Sequence, residues 1–228
     1  MRLIKRIGKW AISFMPSSAI VVFHHVTDKP TIQCSGCMIQ ESQFIDFLNS
    51  YNCFDSLQNV IKKPWKKRIA ITFDDGLEDL YTIAYPILKK RKIPFTAYIV
   101  TDFIGKPGYM SCDQIKEMAA DPLVEIGSHG ITHEVMTTLG KKQKEYEING
   151  SQKKLEAMFG QKVVGFAFSH GLYDTETLDL MKNYKYAVSV YSQPLNSITK
   201  VRKHRLPRFN IDSDSYESIY GSLSFLKK

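Results

Sequence analysis

Short apolar runs and helix-spaced apolar stripes alternate along the chain. Ala19–Phe23, Ile69–Phe73, Phe95–Val100, Val124–Ile126, Val163–Phe168 and Tyr186–Val190 are rich in β-branched and aromatic residues and mostly bounded by turn formers, which predicts strands. Between them Phe44, Phe47, Leu48 and Tyr51 form one apolar helical stripe, and Leu80, Ile83, Ala84, Ile87 and Leu88 form another. Ser111–Ala120, about Lys141 to Phe159, and Thr175–Tyr184 complete the predicted helices. Such alternation implies parallel strands joined by right-handed crossovers, in a barrel-like or doubly wound α/β sheet. No linker, repeat or composition break divides residues 19–228, so one domain is expected there. Its active site belongs at the carboxyl ends of the strands.

Residues 1–18 read as a separate element. Leu3, Ile7, Trp10 and Phe14 recur at helical spacing, with Arg2, Lys5, Arg6 and Lys9 mostly on other faces. This amphipathic helix fits a membrane surface or the flank of the domain, and both readings stand. Lys9 and Pro16 interrupt a signal-peptide pattern, and no run approaches the ~18 apolar residues of a spanning helix. The expected location is cytoplasmic, with peripheral contact at the inner membrane surface.

Composition refines this picture without changing it. With 228 residues, 43% hydrophobic and 24% charged, the chain can bury an ordinary core, which excludes a disordered protein. The net charge of +8 favours an anionic partner. It falls in clusters at Lys62, Lys63, Lys66, Lys67 and Arg68, at Lys89 to Lys92, and at Lys200 to Arg208. No nucleic-acid-reading motif accompanies them, so lipid headgroups or a phosphate-bearing glycan carrier are expected and nucleic acid is not. Plain solvated lysines are the other reading. Cys34-Ser-Gly-Cys37 has no second pair to make a zinc ribbon. All four cysteines are expected to be free thiols in a reducing compartment.

Two segments carry chemistry. The strand Ile69–Phe73 runs straight into Asp74-Asp75-Gly76, and adjacent carboxylates repel unless a cation or a raised pKa relieves them. A capping turn would explain the same residues more simply. After the strand at Val124–Ile126 comes Ser128-His129-Gly130-Ile131-Thr132-His133. Histidines four apart share one face of a helical turn and suit either a divalent metal or a structural pair. Both segments sit at strand ends. Two imidazoles and one carboxylate with open positions would be a catalytic set, leaving the second carboxylate as base.

Thr72-Phe73-Asp74-Asp75-Gly76 followed by Ser128-His129-Gly130-Ile131-Thr132-His133 resembles the first two motifs of the polysaccharide deacetylases. These are the NodB-homology enzymes, carbohydrate esterase family four. Ile87 to Ala97 resembles the family's connecting helix and strand, and the resemblance runs from about Val21 to Ile211. It implies a distorted, incomplete (β/α) barrel and a metal-dependent hydrolase that removes N-acetyl groups from a sugar in a glycan or glycolipid. The implied roles are Asp75, His129 and His133 as ligands of one divalent ion, with zinc expected, and Asp74 as general base.

Two departures qualify the resemblance. Where the family has Tyr-Pro-x-Gly, this chain has Phe168-Ser169-His170-Gly171, so the His170 N–H would help hold the oxyanion without a proline to fix the turn. Where the family has a late general-acid histidine, this chain has His204-Arg205-Leu206-Pro207-Arg208-Phe209, like the Leu-Pro-Arg ending of one subgroup. Arg208 would pair with Asp74 there, or be a surface cation. Val22-Phe23-His24-His25-Val26 resembles that subgroup's Tyr-His segment, and among the six histidines His24 is the expected general acid. The altered third motif also leaves room for a catalytically weak or inactive carbohydrate-binding protein of the same fold.

Overall fold

The apolar runs become a parallel sheet. The structure is a computed structural model that describes residues 16–32, 37–196 and 202–227. Its main strands are β1 (Ala19–Phe23), β4 (Ile69–Phe73), β5 (Phe95–Ile99), β6 (Val124–Ser128), β7 (Gly165–Ala167), β8 (Tyr186–Val188) and β9 (Phe209–Asn210). They lie in the order β8-β7-β6-β5-β4-β1-β9, every neighbouring pair parallel. The sheet curls into a half-barrel with helices on its outer side. A separate parallel pair, β2 (His25–Val26) with β3 (Met38–Ile39), lies just past the end of β1.

Period-two alternation divides each strand between two environments. Val21, Phe23, Ile69, Ile71, Phe73, Phe95, Ala97 and Ile99 pack outward in one large cluster with the helices. Ile20, Ala70, Tyr98, Ala167, Tyr186 and Val188 face the lumen in a second cluster. Both sides are covered, so β1, β4 and β5 are buried along their whole length. The lumen is filled by two tyrosines, and glycines make that possible. A Cβ on Gly127 would stand 2.4 Å from the Tyr98 ring, and one on Gly165 would stand 2.4 Å from the Tyr186 hydroxyl.

The helices follow the predicted stripes with local changes of pitch. α1 (Glu41–Ser50) buries Phe44, Phe47 and Leu48, and α2 (Leu57–Lys62) begins at the Ser56 cap. The Leu80–Leu88 stripe is one rod: a π-helical turn at Leu80–Ala84 precedes α3 (Tyr85–Arg91), whose Pro86 has no N–H to continue an α-ladder. α4 is Cys112–Ala120. The long stretch to Phe159 is α5 (Lys141–Glu145), a π-helical turn at Tyr146–Gly150, and α6 (Ser151–Phe159). α7 (Thr175–Leu180) tightens into a 3₁₀ turn at Met181–Asn183, and α8 (Tyr216–Ser222) is followed by a last 3₁₀ turn at Ser224–Leu226.

Several expectations change. β6 runs on to Ser128, while β7 and β8 are shorter than their apolar runs because Phe168 and Ser189 begin loops. Ser18 forms an antiparallel bridge with Leu195, so the predicted N-terminal helix does not reach residue 18; residues 1–15 lie outside the described residues, as does Cys34. Cys53 and Cys112 are free, but Cys37 is disulfide-bonded, which corrects the expectation of free thiols throughout and removes its argument for a reducing compartment. Among the described residues no helix is long and apolar enough to cross a membrane.

Candidate active site

Asp74 follows β4 directly, and its N–H donates to the Phe23 carbonyl at 3.1 Å, prolonging the β1–β4 ladder by one residue. The chain then turns through two left-handed residues, Asp75 (φ 71°) and Gly76 (φ 77°). This turn parts the two carboxylates. Asp74 goes into the lumen and Asp75 goes across the strand ends, so repulsion between neighbours is relieved by direction as well as by partners. An aspartate at positive φ is uncommon and costly, and such residues persist where surrounding structure fixes them. His133 (φ 69°) and His170 (φ 55°) at the same end share this feature.

The histidines arrive from β6. The His129 N–H donates to the Ile99 carbonyl at 2.9 Å, and Nδ1–H donates to the Ala167 carbonyl at 2.8 Å. A carbonyl can only accept, so this bond fixes the tautomer and turns the Nε2 lone pair toward the aspartates. His129 Nε2 stands 3.4 Å from Asp75 Oδ1 and 3.7 Å from Asp74 Oδ2, and His133 Nε2 stands 3.4 Å from the same Asp75 oxygen. The segment between them is not the expected helical turn. It is a loop with Gly130 at φ 83°, and that loop rather than helical spacing brings the rings to 4.9 Å.

A buried glutamate holds this loop. Glu147, in the π-helical turn, accepts from the N–H groups of Ile131 (2.6 Å) and Thr132 (3.0 Å) and from the Thr132 hydroxyl (2.7 Å). Sequence reading missed it. The available signal was spacing: Glu147 falls with Ile148, Ser151 and Leu155 on the buried stripe of its helix, where a carboxylate needs a partner.

These donors suit a divalent ion. Asp75 Oδ1 is buried with no hydrogen-bond partner among the described residues, and the two 3.4 Å separations exceed ordinary hydrogen bonds. Tetrahedral zinc with bonds of about 2.0–2.1 Å places its ligands about 3.3–3.4 Å apart. Asp75, His129 and His133 also form the one group of potential ligands that lies close enough among the described residues. Electrostatics agrees at Asp75 and His133. Burial would raise the Asp75 pKa, but the surrounding histidines hold it well below the usual carboxylate range. Burial and the His129 ring push His133 down to about 4, leaving its imidazole neutral at neutral pH. Burial also opposes a charged His129, yet Asp74 and Asp75 outweigh it and raise its pKa, so an ion at Nε2 would have to displace a proton there.

Arg208 is no surface cation. It is fully buried, and it grips Asp74 through two bonds of 2.7 Å, Nη1 to Oδ1 and Nη2 to Oδ2. Its Nε donates to the Ser189 carbonyl at 3.2 Å, Nη1 also reaches the Thr72 hydroxyl at 3.2 Å, and the guanidinium lies 5.5 Å from the centre of the Tyr98 ring. Burial would raise the Asp74 pKa, but the guanidinium overrides it and keeps the carboxylate ionised.

The remaining histidines separate. The His170 ring lies 5.0 Å from that of His133, on the outer lip of the site. His24 faces the cluster with Nδ1 buried and unpartnered among the described residues, and burial lowers its pKa against the pull of Asp75 and Asp74. His25 turns the other way and hydrogen-bonds Asp79 through Nδ1, and the second oxygen of Asp79 accepts the Val26 N–H at 3.2 Å. His204 bonds the Tyr184 carbonyl at 3.0 Å, before β8 and therefore at the far end of the sheet. Burial, more than its basic neighbours, lowers its pKa.

The polysaccharide deacetylase family model matches residues 61–189, which spans β4 to the end of β8 and both chemical segments. The chain belongs to the polysaccharide deacetylase family. Among curated relatives the chain is 32% identical over 161 residues to Bacillus subtilis YxkH, which carries a polysaccharide deacetylase name, covering 71% of this chain and 57% of that protein. It is 31% identical over 172 residues to the poly-beta-1,6-N-acetyl-D-glucosamine N-deacetylase of Staphylococcus aureus, covering 68% and 58%. The chain thus spans somewhat over half the length of these relatives. In fold it is similar to a Bacillus cereus polysaccharide deacetylase (TM-score 0.78, 22% identity, 92% of this chain and 70% of that one) and to Streptococcus pyogenes deacetylase PplD (0.77, 22%, 91% and 98%).

Proposed function

We propose that this polysaccharide deacetylase hydrolyses the N-acetyl amide of an N-acetylated sugar polymer, using one divalent ion held by Asp75, His129 and His133, with zinc the expected ion. The observation that carries the reading is the unpartnered Asp75 oxygen at 3.4 Å from both imidazoles, beside an Asp74 locked ionised by Arg208. An ion there would act as a Lewis acid on the amide carbonyl and make water a stronger nucleophile. Asp74 would take the proton of the attacking water, and the Arg208 fork keeps it from turning away or protonating. The His170 N–H would donate to the developing oxyanion. As the C–N bond breaks, His24 would supply the proton that the sugar amine requires, releasing acetate; burial lowers its pKa, so the neighbouring Asp75 and Asp74 would have to help it hold that proton. The named activity of the Staphylococcus aureus relative supports an N-acetylglucosamine polymer as substrate.

The test is acetate release from a soluble β-1,6-linked N-acetylglucosamine oligomer. Chelation should abolish it and added zinc should restore it. Asp74→Asn should keep the metal and lose nearly all turnover, and His129→Ala should lose the metal. His24→Ala should retain metal and fold and lose about 10²–10⁴-fold in rate. Acetate release that survives both chelation and Asp74→Asn would remove the proposal.

A further inference from the structure

Every strand of the main sheet is parallel, so the segments that lead into the strands share one end, opposite Asp74, Asp75 and His129. Basic clusters far apart in sequence meet there. Lys62, Lys63, Lys66 and Lys67 precede β4, and Lys89 to Lys92 precede its neighbour β5. Lys162 before β7 and Lys185 before β8 continue the same rim. All of these side chains are exposed. The carboxylates near them are already engaged: Asp121 with Lys89 at 3.4 Å, Glu156 with Lys162 at 3.7 Å, Asp55 on Asn59, and Glu125 with Gln58 and Tyr186. The catalytic end carries Asp75, Asp79 and Glu134, together with Asp74, which pairs with Arg208, and Asp102, which pairs with Lys154 at 2.7 Å. The exposed lysine clusters of the chain are thus gathered at the end of the sheet away from the site.

Within the largest cluster stands a tryptophan. Trp65 occupies a 3₁₀ turn, Pro64–Lys66, and is 44% exposed. An indole exposed among lysines suits the bilayer interface, which takes both: the ring at headgroup depth and the ammonium groups on anionic lipids. The turn is also where the chain enters β1. Ser18 Oγ donates to the Pro64 carbonyl at 2.7 Å and accepts the Arg68 N–H at 3.0 Å. In sequence, the residues before Pro16 carry Arg2, Lys5, Arg6 and Lys9 among Leu3, Ile7, Trp10 and Phe14, the composition of an interfacial segment.

We propose that this basic end is a docking surface for an anionic lipid bilayer, with Trp65 as its interfacial anchor and the catalytic end turned away from the membrane. The test uses the full chain with Trp10→Phe, which leaves Trp65 as the one remaining tryptophan of two. Sedimentation with phosphatidylcholine vesicles should show binding only when phosphatidylglycerol is included, and salt should weaken it. Trp65 emission should shift to the blue on binding. Each of Lys62, Lys63, Lys66 and Lys67 changed to Gln should lower partitioning about five-fold. Lys90→Gln with Lys92→Gln gives an independent variant on the neighbouring corner. Acetate release from a soluble oligomer should be unchanged in the lysine variants, so failure of docking is distinct from failure of the enzymatic reading. The proposal is overturned by equal partitioning with and without phosphatidylglycerol, by lysine variants that bind like the parent, or by unmoved Trp65 emission with binding that duplex DNA displaces.

Discussion

On the outer face of the sheet Phe23 meets Phe44 edge-on at 5.2 Å and Phe73 at 5.6 Å, and Phe73 meets Phe95 edge-on at 5.6 Å. On the inner face β4 presents Thr72, β5 presents Tyr98 and β8 presents Tyr186, with Arg208 among them. The outer contacts are apolar and non-directional, so they fix where the helices lie without demanding one partner for each atom. The inner contacts are directional. Arg208 has Asp74, Thr72, the Ser189 carbonyl and the Tyr98 ring around it, and each removed partner would leave a buried polar group unsatisfied. Apolar packing on one face supports the sheet, and polar satisfaction on the other aims the carboxylate that the proposed chemistry needs.

The strongest way to break this contrast is Arg208→Met. Removing one partner of a buried ion pair leaves the other charge uncompensated, at about 3–5 kcal/mol. The variant should unfold at much lower urea, and the folded fraction should release no acetate because Asp74 would be protonated. Adding Asp74→Asn should recover most of the stability and none of the activity. Wild-type stability and rate in Arg208→Met would mean the fork is ornamental.

Glu147→Gln asks whether the outer layer can also serve the site. Its carboxylate reaches from a helix on the outer side to three donors of the His129–His133 loop. Losing outer-shell support of metal ligands costs about 10–100-fold in affinity. Competition with a chromophoric chelator should show that loss for zinc, while melting of the metal-free protein changes much less. An unchanged zinc affinity, with reduced melting, would assign Glu147 to stability alone.

Ile71→Val trims a methylene from the purely apolar part of the outer face, beneath the helices. It should cost about 0.5–1.5 kcal/mol in urea titrations. Zinc affinity and turnover of the folded protein should stay at parent values. A larger effect on turnover than on stability would show that outer packing transmits to the strand ends after all.

The contrast also explains what could be read from the sequence. Continuous apolar runs such as Ala19–Phe23 and Ile69–Phe73 locate doubly covered strands to the residue, because both faces are buried and periodicity is not needed. Asp74 and Asp75 were legible because they stand immediately after such a run, and His129 and His133 because a pair of histidines four apart follows the next strand but one. β9 was not, since two residues carry no period, and its place beside β1 is set by pairing across the sheet. Nor could spacing reveal the loop geometry at His133 or the tether from Glu147. Those depend on left-handed residues and on bonds across sixteen or fewer positions that only the packed helix brings together. Arg208 was readable as a partner for Asp74 only through the family resemblance, and its burial is a product of the lumen.

The smallest expected effect comes from an ion pair outside the lumen. Asp174 caps α7, accepting from the Thr177 N–H at 2.8 Å and its hydroxyl at 2.7 Å, while its other oxygen takes Lys144 Nζ at 2.6 Å. The Lys144 bond first, and then the Thr177 bonds, lower its pKa to about 2. Like Asp74 it is a carboxylate gripped by a cation, but 38% of its side chain is exposed, so water screens the pair. Its contribution should be only about 0.2–1 kcal/mol. Because the folded pKa lies below the unfolded value of about 3.9, that contribution is complete above about pH 4 and disappears as the pH falls through about 2. Asp174→Asn retains the cap and removes the charge. Urea midpoints should show a small gap between parent and variant at neutral pH that narrows steadily below pH 4. A gap as large as that of Arg208→Met would show that exposure, rather than the partner, has been given too much weight in separating the two pairs.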